Sequence, residues 1–123
     1  MRDILCRVAV VVGLLVSAGA AQARDLYGAI AYSPSTGAHG YSFDYGSRAS
    51  AERKALASCR KYARDCRVPI WFRNACGALA VGNGGGWGTA WGANRSAAES
   101  NALRSCRNHT KGCGVVRWVC TGR

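Results

Sequence analysis

The sequence is poor in acidic residues and lacks the recurring motifs that mark metal sites and several classes of enzyme. Asp and Glu number 6 against 17 Lys and Arg, for a formal net charge of +11. No C-x2-C or H-x3-H spacing occurs, which disfavours a zinc site, and no G-x-S-x-G occurs, which disfavours a serine hydrolase. The glycine-rich stretch at 82–88 lacks the Lys-Ser/Thr pair of a Walker loop. We therefore predict no metal and no cofactor, and we assign no catalytic residue.

Long apolar runs are also missing. The run at 8–16 is about half of the roughly 18 residues that a membrane helix needs. It follows two arginines and precedes A-Q-A at 21–23, which has the small-x-small form of a signal peptidase site. We predict that residues 1–23 are a cleaved signal peptide, which removes Cys6. The mature chain, 24–123, is expected to be secreted or periplasmic and to contain no transmembrane segment.

One segment of the chain occurs twice as an internal repeat. R-A-S-A-E-R-K-A-L-A-S-C-R at 48–60 returns 47 residues later as R-S-A-A-E-S-N-A-L-R-S-C-R at 95–107, with eight of thirteen positions identical. Around each copy, strands and glycine-rich turns precede a helix and a β-branched strand follows it. We predict an α+β fold of two pseudo-symmetric β-β-α-β repeats, about 26–76 and 77–120, packed as one small disulfide-stapled domain. Pro69 predicts that the third strand of the first repeat lies at an edge of its sheet or starts late.

Six cysteines follow residue 23, and an even number in an exported chain predicts three disulfides. A C-x6-C spacing occurs once in each copy, and each copy as divided at residue 76 holds three cysteines, so at least one bridge must cross between the copies. The favoured pairing is Cys59 with Cys66, Cys106 with Cys113, and Cys76 with Cys120. A second symmetric pairing, 59 with 76, 106 with 120, and 66 with 113, stays open on the sequence alone.

Several of these segments together carry a family resemblance. They are Y-G-A-I-A-Y-S at 27–33, A-E-R-K-A-L-A-S-C at 51–59 with the C-x6-C that follows, and C-G-A-L-A-V-G at 76–82. From Tyr27 to Cys120 the chain resembles the bacterial secreted family called domain of unknown function 4189. The resemblance implies export, disulfides and a small repeated α+β domain. It brings no catalytic residues with it.

Basic residues and tryptophans near the helices are the candidate site. The possible anion-binding residues are Arg60, Lys61, Arg64, Arg95, Arg104, Arg107, Trp87 and Trp91. Trp71 and Trp118 lie in apolar strands, so we expect them to fill the core, whereas Trp87 and Trp91 have small neighbours that favour the surface. The basic excess indicates a non-enzymatic binding module whose partner is an anionic surface, an anionic polymer or an acidic protein.

Two other functions stay open. A small secreted hydrolase of ribonuclease type needs a general base, a general acid and a cation, which His39, His109 and Lys111 could supply. Both histidines are expected in solvent-exposed turns, with nothing in the sequence to bring them together. A secreted effector or inhibitor protein is the third possibility.

The disulfide prediction can be checked on exported protein by mass spectrometry under non-reducing conditions. We expect three disulfides, no peptide that contains Cys6 and a chain that begins near Arg24, because six cysteines follow the predicted cleavage site. A free thiol at any of those six cysteines would contradict the prediction.

Overall fold

The computed structural model describes residues 24–122, and within them the order β-β-α-β occurs twice. The elements are β1 Tyr27–Tyr32, β2 His39–Tyr45, α1 Arg48–Arg60, β3 Arg67–Arg73, β4 Cys76–Val81, β5 Trp87–Gly92, α2 Arg95–Arg107 and β6 Gly114–Cys120. A single 3-10 turn, Asn83–Gly85, joins β4 to β5. The predicted α+β class is confirmed. The predicted signal peptide, 1–23, lies outside the described residues.

Each repeat folds into one antiparallel sheet of three strands, with its first strand in the centre. The strand orders are β2-β1-β3 and β5-β4-β6. Pro69 lies in β3, which is an edge strand, the first of the two predicted alternatives; the strand begins at Arg67, before the proline. A register shift on β3 falls between the partners of Ile30 and Tyr32. In the described part of the chain, neither helix is long and apolar enough to cross a membrane.

Small side chains let each helix lie close against its own sheet. Helix α1 buries Ala51, Ala55 and Cys59, and α2 buries Ala98, Ala102 and Cys106. In the strand beneath each helix a glycine replaces a side chain. A Cβ added at Gly40 would lie 2.4 Å from the carbonyl oxygen of Ala55, and one at Gly88 would lie 2.2 Å from the nitrogen of Cys106. The helix and the sheet therefore approach more closely than a larger residue at either glycine would allow.

Each sheet packs its helix on one face, and the other faces of the two sheets pack against each other and form the central core. Strand β3 lies against β5, and β2 lies against β6, so the layers run α1, first sheet, second sheet, α2. The buried members of this core are Ile30, Tyr32, Phe72, Ala75, Leu79 and Val119. Residues of both repeats contribute to this core.

The ring of Phe72 is held between two equivalent glycines. Gly28 begins the buried part of β1, and Gly77 occupies the same place in β4. A Cβ added at either glycine would lie 2.4 Å from the nearest ring carbon of Phe72. Contacts below about 3 Å are not tolerated between carbon atoms, so each of these positions is restricted to glycine while the ring is present. This contact sets the distance between the two sheets.

The favoured disulfide pairing is confirmed. Bridges join Cys59 to Cys66, Cys106 to Cys113, and Cys76 to Cys120. The bridge expected to cross between copies lies within the second sheet, because Cys76 is the first residue of β4 and pairs with Cys120 in register. A bridge between the copies was expected because Cys76 was assigned to the first repeat, whereas in the structure it begins the first strand of the second repeat. In the first sheet the equivalent pair is Tyr27 with Arg73, which has no bridge.

Three hydrogen bonds that involve Asp44 link the two sheets near the end of β6. Asp44 has a φ of 60° at an irregularity of β2. Its Oδ1 accepts from the Gly122 N–H and from the Thr121 hydroxyl, each at 2.8 Å, and these two donors hold the pKa of Asp44 below its ordinary value. The Asp44 N–H donates to the Thr121 hydroxyl oxygen at 2.9 Å. The first repeat thus holds the end of the second without a covalent bond.

A glycine-to-alanine exchange tests the contact with Phe72. Gly77→Ala should lower the free energy of unfolding by about 1–3 kcal/mol, because the new methyl group overlaps the Phe72 ring. In a Phe72→Leu background the same exchange should cost less, since the ring is gone. Chemical denaturation of the four proteins measures both values.

Gly114→Ala in β6 is the matched control, because a Cβ there meets nothing within 4 Å. It should change the unfolding free energy by less than about 0.5 kcal/mol. Equal costs at Gly77 and Gly114 would show that the Phe72 contact does not limit the sheet spacing.

Candidate anion-binding site

The two repeats run in the same direction, so their turns and disulfide loops gather at one end of the molecule. A Cβ added at Gly85, in the turn of the second repeat, would lie 3.9 Å from the carbonyl oxygen of Pro34, in the turn of the first. At the other end, Phe72 contacts the starts of both β1 and β4. Each helix runs back from the end of its hairpin toward the turn. We call the end that holds both turns and the loops 61–66 and 108–113 the basic end.

The basic end concentrates the positive charge of the molecule. Its exposed Lys and Arg residues are Arg60, Lys61, Arg64, Arg67, Arg104, Arg107 and Lys111. Asp65 is the only acidic residue there among residues 24–122. Five sequence candidates fall in this group: Arg60, Lys61, Arg64, Arg104 and Arg107. Arg67 and Lys111 were not among the anion-binding candidates, although their position next to a cysteine or within a C-x6-C loop could have indicated them.

The opposite end is nearly neutral, because acidic residues pair with the arginines there. Glu52 lies 2.7 Å from Arg48, Glu99 contacts Arg95, and Asp25 lies 3.7 Å from Arg73. The candidate Arg95 therefore lies away from the basic end and already has a partner. Among the described residues, unpaired positive charge is therefore concentrated at one end of the strands, whereas charges at the other end are largely balanced.

Side-chain and backbone hydrogen bonds fix the loops of the basic end. The Ser33 and Ser35 hydroxyls donate to the carboxylate of Asp65, and these bonds hold the pKa of Asp65 below its ordinary value. In the second repeat, the Asn83 N–H donates to the Lys111 carbonyl at 2.8 Å, and the Thr110 hydroxyl donates to the Asn83 carbonyl at 2.6 Å. Each loop is tied to the turn beside it, so the cations are carried on an ordered backbone.

The expectation that Trp71 and Trp118 fill the core is wrong. Their side chains are 37% and 41% exposed. The guanidinium of Arg48 lies 4.5 Å above the ring of Trp71, and that of Arg95 lies 4.0 Å above Trp118. Each helix packs mainly on the first two strands of its repeat, so the outer face of the third strand stays open to solvent. The arginine at each helix start covers that face in part.

The two tryptophans proposed for the surface occupy different places. Trp91 is 60% exposed, but it lies at the nearly neutral end, where it lines a groove of about 460 Å³ together with Ile70 and Arg73. Trp87 lies at the basic end and is half-buried, with its ring edge-on to Tyr32 at 5.5 Å and the Arg67 guanidinium 5.5 Å above it. Only Trp87 is therefore placed beside the basic loops.

The two histidines have different neighbours. His109 is exposed in its disulfide loop and lines a shallow groove with Ser105 and Trp87. His39 is half-buried at the start of β2, where its Nε2 lies 3.3 Å from a guanidinium nitrogen of Arg117. These contacts give no acid–base pair, so the ribonuclease alternative gains no geometric support. Among residues 24–122, no group of three His, Cys, Asp or Glu side chains could hold a metal ion.

Comparisons with known proteins describe a family without an assigned activity. The model of a domain of unknown function, DUF4189, matches residues 27–120. Protein Rv1269c of Mycobacterium tuberculosis and protein Mb1300c of Mycobacterium bovis are each 52% identical over 61 residues, which cover 50% of this chain and 46% of theirs. The matched region thus spans about half the length of these curated relatives.

A solved structure shares the fold. The NMR structure of Rv1813c from Mycobacterium tuberculosis superimposes with a TM-score of 0.57 at 35% sequence identity. The match covers 77% of this chain and 74% of that one.

Proposed function

Because the chain belongs to the DUF4189 family, whose description names no activity, we propose from its own charges that it is a non-enzymatic binding module for an anionic partner. The observation that supports this function is the charge separation. Seven exposed Lys and Arg residues surround one acidic residue at the basic end, whereas acidic residues pair with arginines at the other. A concentrated positive field attracts anionic surfaces and polymers and speeds their association.

The fixed conformation of the two disulfide loops favours a role in binding over that of an ordinary solvent-exposed surface. A cation on a fixed backbone loses less conformational freedom on binding than a cation on a loose loop. The two loops are each closed by a disulfide and hydrogen-bonded to the neighbouring turn. Phosphate-rich partners suit this surface, because each neutralised phosphate releases a counterion into solution.

Export is the second part of the proposal. Three disulfides are typical of proteins that fold in an oxidising compartment. An exported protein meets envelope lipid head groups and cell-wall polymers, both of which include phosphate-bearing molecules. The basic end would then contact such a surface after secretion.

Two charge-matched variants test the binding function. The first replaces Arg60, Lys61, Arg104 and Arg107 with glutamine, and the control replaces Arg24, Arg53, Lys54 and Arg73 with glutamine. Both lose four positive charges, but only the first loses them at the basic end. We expect the first variant to bind anionic vesicles and polyphosphate at least about tenfold more weakly at low salt, and the control to bind within about threefold of the parent.

The salt dependence provides the second readout. The logarithm of the binding constant should fall linearly with the logarithm of salt for the parent. In the basic-end variant the slope should flatten by about one unit for each phosphate that the variant no longer neutralises. Equal weakening of both variants would show that net charge alone acts. Binding that does not depend on salt would remove the proposal.

A further inference from the structure

Arg117 occupies a position that the first repeat fills with an apolar residue. Leu79 pairs with Arg117 in the second sheet, as Ile30 pairs with Ile70 in the first. Both positions face the space between the sheets, because Ile30 and Leu79 are members of the central core. The duplication therefore supplies an internal comparison. An isoleucine satisfies the packing at this position in one repeat, so packing alone does not require an arginine in the other.

The neighbours of the two positions differ in the same way. Ile70 belongs to the partly buried hydrophobic side chains around the central core, as does Trp87 at the start of β5. At the equivalent start of β2 stands His39, and Tyr41 follows two residues later. The seam between β3 and β5 thus carries Ile70 and Trp87 where the seam between β2 and β6 holds a cation, an imidazole and a phenol.

The positive charge of Arg117 has no counter-charge in the described residues. Its guanidinium lies 4.5 Å above the Tyr41 ring, and one of its terminal nitrogens lies 3.3 Å from the Nε2 of His39. Its Nε is buried and has no hydrogen-bond partner among residues 24–122, and no carboxylate there lies within 4 Å of it. Half-burying a cation without an anion costs free energy, which a bound anion would offset.

The geometry points to a binding site for one anionic group, a phosphate or a carboxylate, at Arg117, His39 and Tyr41. Arg117 supplies the charge and the terminal N–H donors, the Tyr41 ring supports the guanidinium from below, and His39 orients it. The site adjoins the basic end, since His39 directly follows the first hairpin turn. The inference rests on the proposed function for its natural ligand, because one anionic group of the bound polymer would enter this site.

The test uses inorganic phosphate, with acetate as the carboxylate arm and chloride at equal ionic strength as the reference. The chain has two histidines, so proton NMR at fixed pH follows the ring signals of His39 and His109 separately once a His39→Gln variant has assigned them. We expect phosphate or acetate to shift the His39 signals in a saturable manner. The stronger of the two anions identifies the chemical class.

Arg117→Ile takes the residue of the twin position and is the decisive variant. It should fold, as shown by an unchanged near-ultraviolet circular dichroism spectrum, and bind the anion at least about tenfold more weakly, because the charged hydrogen bonds are lost. Arg117→Gln, which keeps polar groups but no charge, should lose binding to the same degree and answers the question if the isoleucine variant does not fold. Anion binding equal to that of the parent in either folded variant overturns the inference.

The basic-end glutamine variant separates the two proposals. It should keep the phosphate effect on His39 within about threefold while it loses polyphosphate binding, because the Arg117 site is intact. If Arg117→Ile leaves the His39 response to phosphate unchanged, the inference of an anion site at Arg117 is wrong, and the proposed function of the basic end is unaffected. If the basic-end variant binds polyphosphate like the parent but Arg117→Ile does not, the proposed function of the basic end fails instead.

Discussion

The contact of the Phe72 ring with Gly28 and Gly77 controls how the two repeats meet. An aromatic ring buried between two backbones brings the sheets to one spacing, and a side chain at either glycine would push them apart. The equivalent position in the second repeat holds the smaller Val119, so only one of these two positions carries a ring. Two rings facing the same glycines would not fit. The repeats therefore differ at their shared centre, where a symmetric pair would overfill the core.

The parallel arrangement of the repeats explains the charge separation. Each helix ends with basic residues, which interact favourably with the partial negative charge of a helix C-terminus. Arg60 and Arg107 therefore each stabilise the helix that they end. Because both helices end on the same side of the molecule, a feature that stabilises each helix also collects cations at one end. Function can then arise from duplication of a local stabilising pattern, without a new motif in the sequence.

The sequence predicted the elements well because periodicity and turn residues act locally. The alanine faces of α1 and α2, the glycines near 84 and the cysteine spacing each report on a few neighbouring residues. Trp71 and Trp118 were misjudged because their burial depends on how far each helix extends over its sheet, which no local pattern encodes. Arg117 was not among the predicted anion-binding residues. Its meaning appears only when the register pairs it with Leu79, which puts it at the twin position of Ile70, and when the packing of the two sheets brings it next to His39.

The covalent bonds divide the molecule unequally. At the ends of β4 and β6, Cys76 and Cys120 join the central strand of the second sheet to its edge. The same place in the first sheet holds Tyr27 and Arg73, which only non-covalent contacts keep together. Local opening of the native state begins where the fewest bonds must break at once, and strand ends without a crosslink are such places. We therefore expect the β1–β3 end to open before the β4–β6 end, because the Cys76–Cys120 bridge closes the second sheet into a covalent loop.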